Sequence, residues 1–248
     1  MLKSFQILGC SGGVPTQDRG VSSLIISTAD FDIMIDCGEG TYLNWQRQGC
    51  KWKHLHYIFI THLHPDHCGG LIPLLFYRKL YGITKPLTLV GPPDLESFVL
   101  EGFQLFNTSI KQEFRWINIE ETPRGNLKSG IAFQAEEMVH KIPCWGYRIS
   151  DSEKNIVFVT DTLPNENAVK LAENADVLIH EATFTHDNRV KAREHYHSTQ
   201  LQAMEIADKA KVQRLILTHF SQRIKDSELN EWQWNGQPCV VFNKRQIL

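Results

Sequence analysis

The stretch THLHPDHCGG at 61–70 gathers His62, His64, Asp66 and His67 within six residues. Imidazole and carboxylate are both ligands for a divalent cation, and no thiolate joins this set. The segment follows the apolar run YIFI and precedes a helical pattern that starts near Leu71. Pro65 and the Gly69-Gly70 pair oppose regular helix, so the four side chains can turn toward one point instead of alternating faces. The competing reading is a polar turn with incidental histidines. Such a cluster, buried without ion or partner, would carry a large desolvation cost.

Ligand-type residues recur at one kind of place, immediately after an apolar strand. IMI precedes Asp36, VFV precedes Thr160 and Asp161, LI precedes His180 and Glu181, and LIL precedes Thr218 and His219. In layered α/β folds, functional groups converge at such strand ends. Asp161 and His219, added to the first four, exceed what one tetrahedral ion takes, so two ions are expected. Zinc suits these donors best, and manganese or iron would satisfy them too.

The elements that must position these groups are short apolar runs. FQIL (5–8), SLIIS (23–27), FDIMID (31–36), YIFI (57–60), LTLV (87–90) and EFRWINI (113–119) read as strands. So do IAFQAEEMV (131–139), WGYRIS (145–150), IVFV (156–159), DVLI (176–179), RLIL (214–217) and VVF (240–242). Helical periods fall at 41–48, 71–81, 93–106, 165–173 and 199–210. In the last of these, Ser198 is the expected cap, and Leu201, Met204, Ile206 and Ala207 form the expected buried face. The interleaving predicts a mixed, layered α/β fold. YIFITHLH echoes RLILTHFS, and FDIMID echoes IVFVTD, which predicts two similar halves facing each other across one cleft.

Composition bounds the rest. With 42% hydrophobic and 22% charged residues and few Gly or Pro, disordered, collagen-like and solenoid chains are excluded. A chain of 248 residues fits one domain spanning 1–248. Lys+Arg number 26 against 28 Asp+Glu, so a nucleic-acid contact would need a local basic patch or a bound metal. The six cysteines are scattered without a C-x-x-C pair and read as reduced core residues. No apolar run approaches the ~18 residues of a membrane span, and no secretory h-region opens the sequence, so a cytoplasmic protein is expected.

His-x-His-x-Asp-His at 62–67, followed by His140, Asp161 and His219, resembles the metallo-β-lactamase superfamily. That resemblance implies a four-layer αββα sandwich with two mixed sheets. It also implies that His62, His64 and His140 hold one metal, that Asp66, His67 and His219 hold the other, and that Asp161 bridges both. Asp36 would support them from behind. His140 owes its place to the resemblance, because its position after strand 131–139 also allows a surface role.

LGCSGGVPTQDRGVSS, DCGEGTYL, HKIPCWGYRI and the run LIHEATFTHDNRVKAREHYHSTQLQAMEIADKAKVQRLILTHFSQR narrow the match. Together they resemble ribonuclease Z, the endonuclease family that trims transfer-RNA 3′ ends, over nearly the whole chain. The resemblance implies a phosphodiesterase with two zinc ions and RNA, a tRNA precursor, as partner. Two such cations lower the pKa of a water between them and clamp the diester oxygens. Asp66 would orient or deprotonate that water. His197 of the HST motif, held by Glu181 of the HEAT motif, would protonate the leaving 3′ oxygen. Family members also dimerise, so a homodimer is expected.

Two features depart from the family pattern. Only 20 residues separate His140 from Asp161, where ribonuclease Z usually carries an inserted arm that grips the tRNA body. PTQDRG at 15–20 has Gln17 and Gly20 where the family loop reads Pro-x-Lys-x-Arg-Asn, removing one phosphate-seeking cation. Arg189, Lys191 and Arg193, or Arg78 with Lys79, could compensate. Trp232 and Trp234 could stack on bases, with core or dimer packing the alternative. Two further readings stay open: a small-substrate phosphodiesterase that opens cyclic nucleotides on the same core, and a non-catalytic metal-binding or RNA-binding module.

Overall fold

The computed structural model describes residues 1–108, 114–241 and 245–248. Its first sheet is built from β1 (Leu2–Gly9), β2 (Ser23–Thr28), β3 (Asp32–Ile35), β4 (Leu55–Phe59), β5 (Leu87–Gly91) and β6 (Phe114–Asn118). The second comprises β7 (Arg124–Asn126), β8 (Ala132–Glu137), β9 (Trp145–Ser150), β10 (Asn155–Val159), β11 (Val177–Glu181) and β12 (Leu215–Thr218). A C-terminal strand, β13 (Arg245–Ile247), returns to pair with β1. The orders are β13-β1-β2-β3-β4-β5-β6 and β12-β11-β10-β9-β8-β7. Each sheet is antiparallel on one side and becomes parallel, at β3 in the first and β10 in the second. Both are therefore mixed.

Period-2 alternation explains the layering. Along β4, Tyr57 and Phe59 enter the core between the sheets, while Ile58 and the following Ile60 enter the core under the outer helices. The two sheets meet through Phe59, which lies edge-on to Phe133 at 5.4 Å and to Tyr147 at 5.1 Å. Helices α1 (Thr41–Arg47), α2 (Leu71–Leu80) and α3 (Leu95–Leu105) cover the first sheet with Trp45, Leu74, Val99 and Phe103. Helices α4 (Glu166–Ala172) and α6 (Gln200–Ala210) cover the second, and the short α5 (Arg189–Glu194) lies beside the loop that follows β11. The result is the αββα order of layers. Among the described residues, no helix is long and apolar enough to cross a membrane.

Local details differ from the sequence expectations. Thr199, not Ser198, caps α6 in a capping box with Gln202. Ser198 instead donates its Oγ hydrogen to the Thr162 carbonyl at 2.7 Å. The buried face of α6 is Ala203, Ile206, Ala207 and Ala210, an equally periodic stripe whose small residues let the helix lie close on the sheet, while Leu201 is 42% exposed. Pro65–Cys68 forms one helical turn with Pro65 in its first turn, where a missing N–H costs nothing. Of VVF, Val240 makes only an isolated bridge to Leu217, and residue 242 lies outside the described residues. Arg78 is buried and donates to the Lys85 carbonyl.

The β9–β10 hairpin closes through residues 151–154. Asp151 Oδ1 accepts the Glu153 and Lys154 amides, each at 2.8 Å, and its Oδ2 accepts the Leu2 amide at 2.6 Å. A short turn held by the Asp151 carboxylate thus stands in the interval between His140 and Asp161.

Candidate metal centre

Three strand ends and two loops supply the site. Beyond β3, Asp36 adopts a left-handed backbone (φ 59°), as do Asp161 beyond β10 (φ 40°) and His219 beyond β12 (φ 57°). Such conformations are costly for residues with a Cβ and persist where packing over-determines them. Here each turns a side chain off its strand, Asp161 and His219 into the shared cleft and Asp36 onto His67 behind it. The sequence echoes are visible in this: β3 and β10 each end in such an aspartate, and β4 and β12 each lead into a histidine, His62 and His219.

Backbone pairing docks the histidine-rich turn. The Cys37 amide donates to the His67 carbonyl at 2.7 Å, and the Gly70 amide donates to the Cys37 carbonyl at 2.8 Å. Gly38 lies against this turn so closely that a Cβ would meet the Asp66 carbonyl oxygen at 2.1 Å. On the other side, Ser11 and Gly12 pair with Phe220 and Ser221, and the Gly13 amide donates to Asp66 Oδ2 at 2.8 Å.

The seven expected ligands converge in two groups that share Asp161. In the first, His64 Nδ1 lies 2.9 Å from His62 Nε2 and 3.2 Å from His140 Nε2. Asp161 Oδ2 is 3.6 Å from both His62 Nε2 and His140 Nε2. In the second, His67 Nε2, His219 Nε2 and Asp66 Oδ2 lie 3.1 to 3.3 Å apart. Asp161 Oδ1 is 3.4 Å from His67 Nε2 and 3.1 Å from His219 Nε2. An ion about 2.0–2.1 Å from four tetrahedral ligands would set them roughly 3.3 Å apart. The separations above, 2.9 to 3.6 Å, bracket that edge length, and facing imidazole nitrogens this close need a cation or a proton between them; on the side of the second group Asp161 clusters with His219 and His197.

Polar partners behind the ligands fix their rings. His67 Nδ1 is 2.7 Å from Asp36 Oδ2, and Asp36 also accepts from the Ser22 hydroxyl and from the Thr61 amide and hydroxyl. His140 Nδ1 donates to the Tyr196 carbonyl at 3.2 Å. His219 Nδ1 donates to the Thr183 hydroxyl at 2.9 Å. Burial, then the His67 charge, hold His62 well below the usual imidazole range. Burial opposes charge at His67 too, but Asp161 and Asp36 outweigh it and raise its pKa well above that range. For Asp66 and Asp161, burial is likewise overcome by the surrounding histidines, and both carboxyls fall well below the ordinary range.

His197 and Glu181 stand beside this ring. Glu181 is fully buried, and its Oε1 accepts His197 Nδ1 at 3.0 Å, the Thr162 amide at 2.9 Å and the Ser198 amide at 3.0 Å. Burial disfavours the imidazolium, but the Glu181 charge and hydrogen bond prevail and push His197 up to about 9. His197 also stacks on His219 at 5.5 Å, so the pair lies against the ligand ring.

A cavity of about 400 Å³ opens over both groups and His197. Lys141, Lys191 and Arg223 line it, with Phe184 and His195 stacked at 6.1 Å. Arg189 and Arg193 are exposed on α5, and neither lines this cavity. Arg19 is buried, its Nε 3.2 Å from Asp226 and a terminal nitrogen donating to the Ile224 carbonyl, so it anchors its loop instead of facing solvent. Trp232 packs edge-on against Phe220, and Trp234 donates to Asp208. Gly12, Gly13, Thr183 and Tyr196 were not singled out from the sequence, although Gly12, Gly13 and Thr183 lie within the CSGG and HEAT motifs.

Residues 32–220 match the family model described as "Beta-lactamase superfamily domain". Ribonuclease BN of Proteus mirabilis is 33% identical over 97% of this chain and 95% of that protein. Their alignment runs to 293 positions, more than this chain possesses, so the relative carries residues with no counterpart here. The crystal structure of the short form of human tRNase Z superposes with a TM-score of 0.79 at 30% identity, covering 89% of this chain and 93% of that one. A metallo-β-lactamase fold protein from Bacillus subtilis, 22% identical, superposes over the full length of both chains with a TM-score of 0.84, a likeness of fold. The family match over residues 32–220, 33% identity along nearly the whole sequence and the common fold agree: this chain belongs to the ribonuclease Z and ribonuclease BN family within the beta-lactamase superfamily.

Proposed function

We propose that this protein is a metal-dependent endoribonuclease of the ribonuclease Z type, cleaving a phosphodiester at the 3′ end of RNA, with precursor tRNA as its substrate. The observation that carries the reading is one cavity in which two groups of candidate ligands, joined through Asp161, lie beside His197 and the buried Glu181 that holds it. Zinc is the proposed ion at both groups, and manganese or iron would satisfy the same donors. Two divalent ions held there supply Lewis acidity that lowers the pKa of water and neutralises charge on the diester.

The chain's own residues do the rest. Asp66 is kept ionised by its histidine neighbours and aimed by the Gly13 amide, so it can orient and deprotonate the attacking water. His197 carries a proton at neutral pH and presents it to the leaving oxygen, while Glu181 fixes its tautomer. Lys141, Lys191 and Arg223 offer charge to flanking phosphates. The proposed enzyme works in the cytoplasm as a homodimer. Phe76, Tyr77, Phe103 and Phe106, which line one apolar hollow, offer it a surface for pairing. Sedimentation velocity should then return twice the 28.5 kDa chain mass.

One observation favours a second reading, a small-substrate phosphodiesterase. The four-residue turn at 151–154 leaves no appendage to grip the body of a tRNA. Zinc- or manganese-loaded protein should be assayed on precursor tRNA, 2′,3′-cyclic mononucleotides and bis-p-nitrophenyl phosphate. Site-specific 3′ cleavage of tRNA supports the first reading. Turnover of cyclic nucleotides without RNA cleavage replaces it with the second, and inertness toward every diester leaves a binding module.

A further inference from the structure

Thr183 lies between the proton donor and the metal ligands. Its Oγ1 is 2.5 Å from Glu181 Oε2 and 2.9 Å from His219 Nδ1. An ionised carboxylate only accepts, so the single Thr183 hydroxyl proton goes to Glu181. The hydroxyl oxygen is then left to accept the Nδ1–H of His219. That fixes the His219 tautomer whose Nε2 lone pair faces Asp66 at 3.2 Å and Asp161 at 3.1 Å. The other Glu181 oxygen meanwhile accepts His197 at 3.0 Å.

His67, in the same group, is backed differently. Its Nδ1 meets Asp36 directly, at 2.7 Å. His219 reaches its carboxylate only through a hydroxyl, and that carboxylate already serves His197. In the other group, His140 is held by the Tyr196 carbonyl and His62 Nδ1 lies beside the Thr61 hydroxyl, contacts that bypass Thr183.

We propose, resting on the reading that the centre takes two ions, that Thr183 is a positioning residue for the ion held by Asp66, His67 and His219. Through it, Glu181 sets the affinity of that ion without touching it. One buried carboxylate thereby serves both the acid and one metal position, and a change at either is felt at the other. The ion held by His62, His64 and His140 lies outside this linkage.

The test is zinc binding, measured by competition with a chromogenic chelator on the wild type, Thr183→Val, Thr183→Ser and Glu181→Gln. Valine keeps the shape of threonine and lacks the hydroxyl, and thermal melts of the apo-proteins check that each variant folds. Thr183→Val should weaken one of two ions by roughly 10- to 100-fold and spare the other. Thr183→Ser should restore it, and Glu181→Gln should weaken the same ion. Cobalt substitution gives a second readout, with the absorption of a single site altered in Thr183→Val. If Thr183→Val binds both ions as the wild type does, or loses both alike, the linkage is overturned while the two-ion reading stands. A wild-type chain that takes up no ions overturns both.

Discussion

Gly12 packs directly onto His219: a Cβ at this glycine would lie 2.7 Å from the ring Nδ1 and 2.9 Å from the backbone oxygen. Neither neighbour can yield, since the ring faces Thr183 and Asp66 and the backbone is already left-handed. Gly12→Ala should therefore destabilise the fold by roughly 1–3 kcal/mol, the usual penalty for overpacking, and displace His219. Denaturant melts and the zinc content of purified protein measure the two effects. A variant with full metal content and unchanged stability would show that the contact relaxes freely.

Asp66→Ala should lower diester cleavage by roughly 10²- to 10⁴-fold, the range for loss of a positioned base. The fold should survive, because the backbone that holds residue 66 pairs through His67, Cys37 and Gly70. Far-UV circular dichroism and kcat on an activated diester decide between loss of chemistry and loss of structure.

His197 predicts both a leaving-group effect and a pH effect. His197→Ala should slow RNA cleavage far more than hydrolysis of bis-p-nitrophenyl phosphate, whose leaving group needs no proton. The imidazolium is the acid form, so in the wild type the contribution of His197 should persist through neutral pH and fall as pH rises through about 9. Glu181→Gln removes the charge that raises it and should move that fall downward. The same sign governs stability: a pKa raised on folding contributes below the unfolded value and is lost as pH climbs through the folded one. Equal losses on both substrates for His197→Ala would reject the assignment.

Asp151 offers a test far from the cleft. Partial burial opposes its charge, but the Glu153, Leu2 and Lys154 amides outweigh it and lower its pKa. Its stabilisation is thus present above the ordinary aspartate value of about 3.9 and is lost as pH falls through the lower folded value. Asp151→Asn should melt earlier than the wild type at pH 7, with the difference shrinking in acid. Activity of the folded variant on a small diester should not change.

The rim cations act at the level of substrate binding. Replacing Lys141, Lys191 or Arg223 by Ala should raise KM for RNA, and each cation that neutralises one phosphate should take about 1 off the slope of log affinity against log salt. KM for bis-p-nitrophenyl phosphate should hold. An unchanged salt slope in all three variants would place the RNA elsewhere on the surface.

That the strand-end polar groups gather in one place was legible because each apolar run stops where a polar group begins, and burying such a group demands a partner. Sheet layering was legible for the same reason: the run of apolar residues on β4, which sends Tyr57 and Phe59 one way and Ile58 the other, can be satisfied only between two cores. Thr183 and Gly12 were not, because their importance arises from contact with His219, which lies 36 positions beyond Thr183 and over two hundred beyond Gly12. The α6 cap was misplaced by one residue because Ser198 and Thr199 are equivalent in local chemistry. Only the distant Thr162 carbonyl and Glu181 decide between them. The β13 strand is too short and polar to announce itself, and it forms because β1 presents an open edge.

The loop that closes β9 and β10 lies a full strand length from the ligand ring, roughly 20 Å for six residues. Sequence can be spliced in or trimmed away there without shifting any ligand. The architecture is thus modular: an appendage placed at the far pole would change what the molecule can hold while leaving the residues of the cleft where they are. Grafting a relative's extension between Ser150 and Asn155 would retrace that step in the laboratory.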